Sequence, residues 1–493
     1  MSASALELKK SFELKVHRLC CSLDASMDGT ADSREGPGSG DMDDEPGTGP
    51  GGGGDKDVCI ICYEASPPPI PSGCACRGPS ALAHVACRIR AAEIMGGHRG
   101  RQVWSECLTC QQGYTGPVLA GLANAWWTQV RDRPEEDLER LAAAQNLAGS
   151  VFQQGDYAEA AAILRGVHTV QARVIGPEDP DTLETAHNLA SSISAHGEHA
   201  EAEAMQREVH AAQFRVLGEE HPDTLATMTC LSTSLYQQGK YAEAEAMRRE
   251  VLAVKKRVLG EEHLDTLATA AHLATSLYQQ GRYAEAEAMD REVLRVKKRV
   301  LGEEHQSTLA SAANMARSIC AQGRHEEAEA MEREVHAVKT HVLGEDHPRT
   351  LETAANLANC ISEQGRYAEA EAMQRKVHAA QARVLGEEHP CTLRTASNLA
   401  SSLSGQDKDA EAEVAEREVL EAQTRLLGAK HPDTLATKAN IADSIWAQGR
   451  HAEAMQIFRE VHTAQTQVLG AEHPDTLITK SNLEYRLNGM HVS

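Results

Sequence analysis

Residues 217–225 have the sequence LGEEHPDTL, and this stretch recurs along most of the 493-residue chain. Its HPDTL core stands unchanged at 431–435 and 473–477, and near copies fill the intervals so that adjacent copies are 42 residues apart. Strict self-similarity at such a period is typical of a solenoid, in which each repeat packs only against its neighbours. The copies begin at Asp179, His221, His263, His305, His347, His389, His431 and His473.

Each repeat is predicted to form two helices. A threonine stands at the same place in every copy, beginning with Thr182, and we predict that its hydroxyl caps the first helix. A glycine such as Gly197 ends that helix, and a second helix runs to the Leu-Gly at 217–218. Alanines at the expected crossings, for example Ala190 and Ala202, would let the two helix axes approach closely.

The period therefore predicts an α-solenoid over residues 139–490, with about eight 42-residue helix pairs and a C-terminal capping helix. The histidine at most junctions is predicted to have a structural role, because neighbouring repeats are too far apart for two histidines to share an ion. The seventh pair departs from the pattern, because Asp407 replaces the usual glycine. Asp adopts the left-handed conformation less readily than Gly, so we expect this junction to be the loosest.

The composition favours a stack of thin helices over a large enzyme core. Asp and Glu outnumber Lys and Arg by 72 to 49, the net charge is −23, and only 3% of the residues are aromatic. Nucleic-acid binding through bulk charge needs the opposite sign, so we predict no nucleic-acid partner. The chain has neither a long apolar run nor the layout of a signal peptide. We therefore expect no transmembrane segment and a cytoplasmic location, with the nucleus as an alternative.

Four segments precede the repeats. Residues 1–24 have the pattern of a short amphipathic helix, and the Gly- and Asp-rich residues 25–57 are predicted to form a disordered linker. Residues 58–116 contain a cluster of cysteines. Residues 117–138 are predicted to form a helix that connects this cluster to the repeats.

Seven of the thirteen cysteines lie within 58–116, together with one suitably spaced histidine. Seven thiolates and one imidazole are enough ligands for two tetrahedral zinc sites, and in a reducing compartment such spacing indicates metal rather than disulfides. A segment this short would not hold a hydrophobic core without metal, so zinc binding and folding should be one event. The candidate ligands are Cys59, Cys62, Cys74, Cys76, His84, Cys87, Cys107 and Cys110.

The order of these ligands resembles the RING-CH finger, which has Cys in the fourth position and His in the fifth. The CACRG at 74–78 matches that family's Cys-x-Cys-Arg-Gly, and the segment from Trp104 to Tyr114 is similar to its end. The PHD finger has the same ligand order but places its histidine four or five residues after the fourth ligand, whereas seven residues intervene here. The RING-CH resemblance implies two cross-braced Zn2+ ions. One ion would bind Cys59, Cys62, His84 and Cys87, and the other Cys74, Cys76, Cys107 and Cys110.

The same resemblance implies a RING-type E3 ubiquitin-protein ligase without a catalytic nucleophile. Such a finger holds a ubiquitin-charged E2 enzyme so that its thioester faces a substrate lysine. Ile61, Trp104 and Gln111 would contact the E2. Two residues depart from the family: Ala91 stands where a Trp is frequent, and Gln111 where ligases often have Arg or Lys. The alternatives are a non-enzymatic scaffold with a degenerate finger and a PHD-like reader of histone tails.

The repeats resemble tetratricopeptide (TPR) repeats of the 42-residue kind found in kinesin light chains. Asn-Leu-Ala at 188–190 and GKYAEAEA at 239–246 carry the likeness. The resemblance implies that the first helices line a groove for a protein or peptide substrate or adaptor. Asparagines recur at the same position of several first helices, each with a Thr or Ser three residues before it, and we predict that they line this groove. The alternative role for these asparagines is hydrogen bonding between adjacent repeats. They are Asn188, Asn314, Asn356, Asn398 and Asn440.

Together these patterns predict a mostly α fold, with a small two-zinc RING-CH finger followed by an α-solenoid of TPR helix pairs.

Overall fold

The structure is a computed structural model that describes residues 58–71, 74, 76, 82–99, 101–471 and 474–490. The predictions for residues 1–24 and 25–57 lie outside this part of the chain. The protein consists of two compact units, and the boundary between them lies between Gln238 and Gly239. The described part of the first unit begins at residue 58. Helices account for most of both units, as the sequence predicts.

The first unit opens with a small hairpin and continues as helices. Strand β1 (Ile70–Pro71) pairs antiparallel with β2 (Leu82–Ala83), and a 3-10 turn covers Arg101–Trp104. The helices of this unit are α1 (Val85–Arg99), α2 (Gly116–Val130), α3 (Leu138–Gln153), α4 (Tyr157–Val174), α5 (Pro180–Ala195), α6 (His199–Leu217) and α7 (Pro222–Gln237).

The second unit consists of helices throughout its described residues. They are α8 (Tyr241–Val258), α9 (Leu264–Gln279), α10 (Tyr283–Leu301), α11 (Gln306–Cys320), α12 (His325–Leu343), α13 (Pro348–Glu363), α14 (Tyr367–Leu385), α15 (Pro390–Ser404), α16 (Asp409–Leu426), α17 (Pro432–Ala447), α18 (His451–Val468) and α19 (Pro474–Met490). In sequence order α3 to α18 form eight pairs and α19 follows them, which confirms the predicted mostly α repeat fold.

The caps of the first helices differ from the prediction. The side chain of His221 accepts a hydrogen bond from the backbone N–H of Asp223 at 3.2 Å, and Asp179 accepts one from Asp181 at 3.0 Å. His221 and Asp179 are therefore the N-cap residues. Thr224 lies inside the first turn and is fully buried, so the prediction that the threonine caps the helix was wrong. The junction histidine has the structural role that the sequence predicts.

Small residues lie where the helices of a pair meet. Ala190 on α5 and Ala202 on α6 are both completely buried, as predicted. Leu189 and Ile193 pack in the same cluster as Ala202. Each such aliphatic side chain contributes roughly 1.5–3 kcal/mol when it is removed from water, so these crossings stabilise the stack.

The junction at Asp407 keeps the backbone conformation of the glycines that it replaces. Its φ is +60°, compared with +76° at Gly365 and +82° at Gly449. An L-residue with a side chain is strained in this left-handed region. The chain therefore turns here at a cost that the other junctions avoid.

Candidate metal centre

The eight predicted ligands form two groups of four. The donor atoms of Cys59, Cys62, His84 and Cys87 all lie within 4.8 Å of one another, and so do those of Cys74, Cys76, Cys107 and Cys110. Each group combines an early pair with a later pair of ligands. The grouping is the one that the RING-CH resemblance implies.

The first group is assembled by a tight turn and the start of α1. The backbone N–H of Tyr63 donates to the carbonyl of Cys59 at 2.8 Å, which curls the chain so that Cys62 lies next to Cys59. His84 follows β2 directly, and Cys87 lies in the first turn of α1. One short hairpin and one helix start therefore bring two distant pairs of ligands together.

The second group uses the other end of the same hairpin. Cys74 and Cys76 lie in the loop between β1 and β2, so the hairpin carries ligands of both groups. Cys107 and Cys110 lie in a turn closed by the backbone N–H of Gln111, which donates to the Cys107 carbonyl at 2.7 Å. Because both groups share the hairpin, loss of either group would disturb the other.

The donor distances fit tetrahedral zinc. The sulfurs of Cys76 and Cys107 are 3.8 Å apart. Two thiolates that bind one zinc ion at about 2.3 Å are separated by about 3.8 Å in a tetrahedron. The Nδ1 atom of His84 lies 3.3 Å from the Cys62 sulfur and 3.6 Å from the Cys87 sulfur, close to the value expected for a shared ion. Four soft donors and no carboxylate favour zinc over magnesium or calcium.

The ring of His84 is oriented by its second nitrogen. Its Nε2 atom lies 2.5 Å from the backbone carbonyl of Pro67, which can only accept a hydrogen bond. Nε2 therefore carries the proton, and Nδ1 is left with a lone pair directed at the three cysteines. This is the tautomer that a metal-binding histidine requires.

Backbone amides make one thiol of each group acidic. Burial alone would raise the pKa of Cys59, but backbone N–H groups of Cys62, His84 and Ile61 lower it to about 6. For Cys107, burial is likewise outweighed by the amides of Cys110 and Thr109, which lower its pKa to about 6. Each group thus offers a thiolate at neutral pH, and thiolates are the metal-binding form.

The cysteine-rich segment is packed against the start of the repeats. The rings of Trp104 and Trp126 stack with their centroids 5.9 Å apart and their planes 6° from parallel. Asn146 on α3 donates from its amide to the backbone carbonyl of Trp104 at 3.2 Å. Gly121 on α2 allows close approach to α1, because a Cβ atom there would lie 2.2 Å from Val85 Cγ1. The segment 58–116 therefore shares one core with α2 and α3.

The structure distributes the three predicted E2-contact residues differently. Ile61 is 37% exposed in the first ligand turn, and Gln111 is exposed directly after the last ligand. Trp104 is only 4% exposed, so its side chain belongs to the core and does not fit a contact role. Sequence reasoning missed Tyr63, whose ring is 76% exposed beside Ile61. Its position directly after the ligand Cys62 was the available signal.

The five predicted groove asparagines lie at matching positions of α5, α11, α13, α15 and α17, and each is half-buried. The hydroxyls three residues before them are buried, and four of the five make a hydrogen bond with a side chain of the preceding second helix. Thr185, for example, donates to Gln171 at 2.6 Å, and Lys339 donates to Thr353 at 2.7 Å. These threonine hydroxyls therefore make hydrogen bonds between repeats. Among the aligned polar residues, Asn188 and its counterparts are the ones that remain partly accessible.

One set of residues escaped sequence analysis. The same buried position of the second helices holds Arg248 in α8, Asp290 in α10, Glu332 in α12 and Glu416 in α16. Arg248 donates to the Ser276 hydroxyl at 2.7 Å, whereas neither carboxylate oxygen of Glu332 has a hydrogen-bond partner among the described residues. The identity changes from repeat to repeat, so no periodic pattern marks this position.

Comparison with known proteins identifies the repeats. The family profile of the tetratricopeptide repeat matches residues 140–213, 195–257, 223–299, 266–340, 307–379 and 350–425, and a second profile of the repeat matches 434–475. No curated protein matches the chain. None of the helices in the described ranges combines the length and hydropathy needed to cross a bilayer.

Several solved structures are similar. One is a Podospora anserina protein assigned as a kinesin light chain, whose TPR-like repeats are nearly identical to one another. Its sequence identity with this chain is 30%, the match covers 42% of this chain and 97% of that chain, and the TM-score is 0.38. The quorum sensor NprR of B. thuringiensis is 15% identical, with coverages of 62% and 82% and a TM-score of 0.49. The Rap conjugation gene regulator of plasmid pLS20, in complex with the Phr* peptide, is 12% identical. The match covers 73% of this chain and 98% of that chain, and the TM-score is 0.49. Because the profile covers more than half of its residues, the chain belongs to the tetratricopeptide repeat family.

Proposed function

We propose that this protein is a RING-CH-type E3 ubiquitin ligase whose TPR helices recruit the substrate or an adaptor. TPR repeats imply a scaffold for protein–protein interaction. The finer proposal concerns residues 58–116, which precede the matched repeats, and it rests on one observation. The eight ligand residues form two groups that interleave along the chain, Cys59 and Cys62 with His84 and Cys87, and the remaining four cysteines together.

Zinc would have a structural task in this proposal. Each ion would occupy four protein ligands, so neither site would keep an open position for water, and no ligand thiolate would act as a nucleophile. When bound, the two ions supply cross-links that fix the loops between the ligands. The reducing compartment that such thiolates need agrees with a cytoplasmic or nuclear location.

The exposed ligand turns supply a surface for the E2 enzyme. Ile60, Ile61 and Tyr63 present apolar side chains next to the first group, and Leu108 does so next to the second. Gln111 adds a neutral amide that can donate hydrogen bonds across the interface. A partner held here gains rate through position, because its thioester and a bound substrate lysine are kept together.

The repeats would supply the second partner. Half-buried asparagines such as Asn188 and Asn356 offer donors and acceptors suited to the backbone of an extended peptide. A substrate or adaptor bound along the first helices would be tethered to the finger through the core that the finger shares with α2 and α3.

Discharge of ubiquitin from charged E2 enzymes onto free lysine tests the proposal. We expect the full-length protein to accelerate discharge from at least one E2 in a panel. Ile61→Ala should reduce the acceleration by about tenfold, since buried interface anchors carry much of the binding energy. Ile94→Ala is the matched control, because Ile94 is exposed on α1 outside the ligand turns. Cys59→Ala or His84→Ala should abolish activity.

The second candidate is a non-enzymatic scaffold with the same zinc module. The neutral Gln111 favours it, because a cation at this position would bridge E2 and ubiquitin more strongly. A protein that binds two zinc ions but accelerates discharge from no E2 would support this function. Binding of histone-tail peptides to the full chain, lost in Cys74→Ala, would instead support a PHD-like reader.

A further inference from the structure

Lysine is absent from the sequence of the finger and of the helices that follow it in the first unit. Residues 57–239, which we call the arginine-only segment, contain twelve arginines and not one lysine, whereas the rest of the chain contains fifteen lysines. The segment covers the finger, its connecting helix and the repeats of the first unit. The segment therefore contains the candidate E2 surface and the helices that support it.

The fold does not require arginine for its ion pairs. In the second unit Arg366 pairs with Glu329 at 2.9 Å, and Lys408 makes the equivalent pair with Glu371 at 2.8 Å one repeat later. Lysine therefore makes the same contact with the carboxylate as arginine does, at nearly the same distance. Stability alone thus gives no reason for the absence of lysine from residues 57–239.

Many of the arginines stand where a lysine would be accessible. Arg90 on α1 and Arg131 after α2 have side chains that are 74% and 56% exposed. Arg165 on α4 and Arg215 on α6 are similarly exposed. Arg90 and Arg131 lie on or directly after α1 and α2, the helices that share a core with the finger, so we expect these two positions to be within reach of an enzyme bound there.

Lysine and arginine differ in the chemistry of ubiquitin transfer. In this reaction the lysine Nζ attacks the thioester carbonyl at the C-terminus of ubiquitin. A C–N amide bond forms, the C–S bond breaks, the E2 thiolate leaves, and the amine loses its proton to solvent. The guanidinium of arginine stays protonated at neutral pH, so it keeps the positive charge without offering a nucleophile.

We infer that the lack of lysine in the arginine-only segment protects the finger and its supporting helices from ubiquitination by the E2 that the finger binds. Self-modification would then be confined to lysines outside residues 57–239, and the finger and its supporting helices would remain unmodified while substrates are processed. This inference rests on the proposed ligase function.

Arg90→Lys and Arg131→Lys test the inference in the full-length protein, with Arg383→Lys in the second unit as the control. Arg383 is comparably exposed and also ion-paired. Each variant is incubated with E1, an active E2 and ubiquitin, and modified lysines are mapped by mass spectrometry. Discharge onto free lysine is measured in parallel. We expect ubiquitin at the introduced amine of R90K and R131K, and self-modification faster by at least about threefold, because proximity governs the rate.

The parallel measurement separates the two ways of failing. If free lysine is discharged normally and native lysines are modified, but positions 90 and 131 are not, the protection inference is overturned and the ligase function stands. Modification of R383K at the same rate as R90K would also overturn it, because a lysine within the arginine-only segment would then be no better a target than one outside it. If no E2 is discharged, the ligase function itself fails, and the inference fails with it.

Discussion

Arg324 Nη1 lies 2.8 Å from Glu287 Oε2, and this ion pair joins the second helices of consecutive repeats. The carboxylate is 9% exposed and also accepts a hydrogen bond from Gln322 at 2.8 Å. The same arrangement recurs at 42-residue intervals, for example between Arg450 and Glu413. Arg324 and Gln322, which bond this nearly buried carboxylate, lie in the next repeat. The stability of each junction between repeats therefore depends on residues of both repeats.

Arg324→Ala should therefore weaken the second unit. Loss of a hydrogen-bonded partner at a nearly buried carboxylate costs about 1–2 kcal/mol, so the urea midpoint should fall. Arg295→Ala is the control, because Arg295 pairs with Glu292 and both side chains are more than 60% exposed. It should change stability by less than about 0.5 kcal/mol. Equal effects of the two substitutions on stability would contradict the role of the Arg324–Glu287 ion pair.

Glu332 should make the second unit less stable as pH rises. Burial raises its pKa to about 8, although Lys339 and Arg317 oppose the shift. The folded state then holds a proton that the unfolded state releases near pH 4.5, so stability declines between about pH 4.5 and 8. Glu332→Gln should remove this dependence and stabilise the protein at pH 8, because Gln374 occupies the equivalent position in the next repeat.

Exposed Glu334 provides the control for this titration. Glu334→Gln keeps the buried carboxyl and should leave the slope of unfolding free energy against pH unchanged. Thermal or urea unfolding from pH 5 to 8 measures both variants. The account is wrong if Glu332→Gln destabilises the protein at pH 8 by as much as at pH 5.

Gly121→Ala should loosen the finger from the repeats. The added methyl would lie 2.2 Å from Val85 Cγ1, so the Val85 side chain would have to leave its position or the two helices would have to separate, at a cost of about 1–3 kcal/mol. Gly149→Ala on α3 is the matched control, since no atom lies within 4 Å of its added Cβ. That change should be neutral or stabilising by up to about 1 kcal/mol. Hydrogen exchange at residues 85–99 measures the difference, and equal protection in both variants would refute the close approach.

Asp407→Gly should stabilise the seventh junction. Glycine adopts a φ near +60° without strain, so the substitution should contribute about 1 kcal/mol. The reverse change, Gly365→Asp, places the same side chain at an equivalent turn with φ +76° and should destabilise by a similar amount. Urea midpoints report both. A fall in stability on Asp407→Gly would mean that the Asp407 side chain makes a compensating contact.

The repeat architecture could be predicted because its signals are periodic. The 42-residue spacing, the glycines after the first helices and the buried alanines Ala190 and Ala202 all report local requirements that recur in every repeat. The helix caps were harder. A constant residue can be constant for burial as well as for capping, and Thr224 is constant because it is buried next to the true cap, His221.

Features that depend on tertiary packing had no sequence signal. The burial of Trp104 follows from the stacking of Trp126, which α2 brings back onto the finger. Glu332 resembles any other acidic residue of a second helix, and only the packing between repeats reveals that water is excluded from it. The ligand residues could be selected by spacing alone, whereas their division into two groups came from a family resemblance and depends on the hairpin at 70–83.

Zinc content tests the central claim most directly. Native mass spectrometry of the full-length protein, purified under reducing conditions and supplied with zinc, should find two ions per chain. Cys59→Ala and Cys74→Ala, one from each group, should each retain at most one ion. A wild-type chain with no bound zinc, or two ions retained in both variants, would contradict the cross-braced centre on which the proposed function depends.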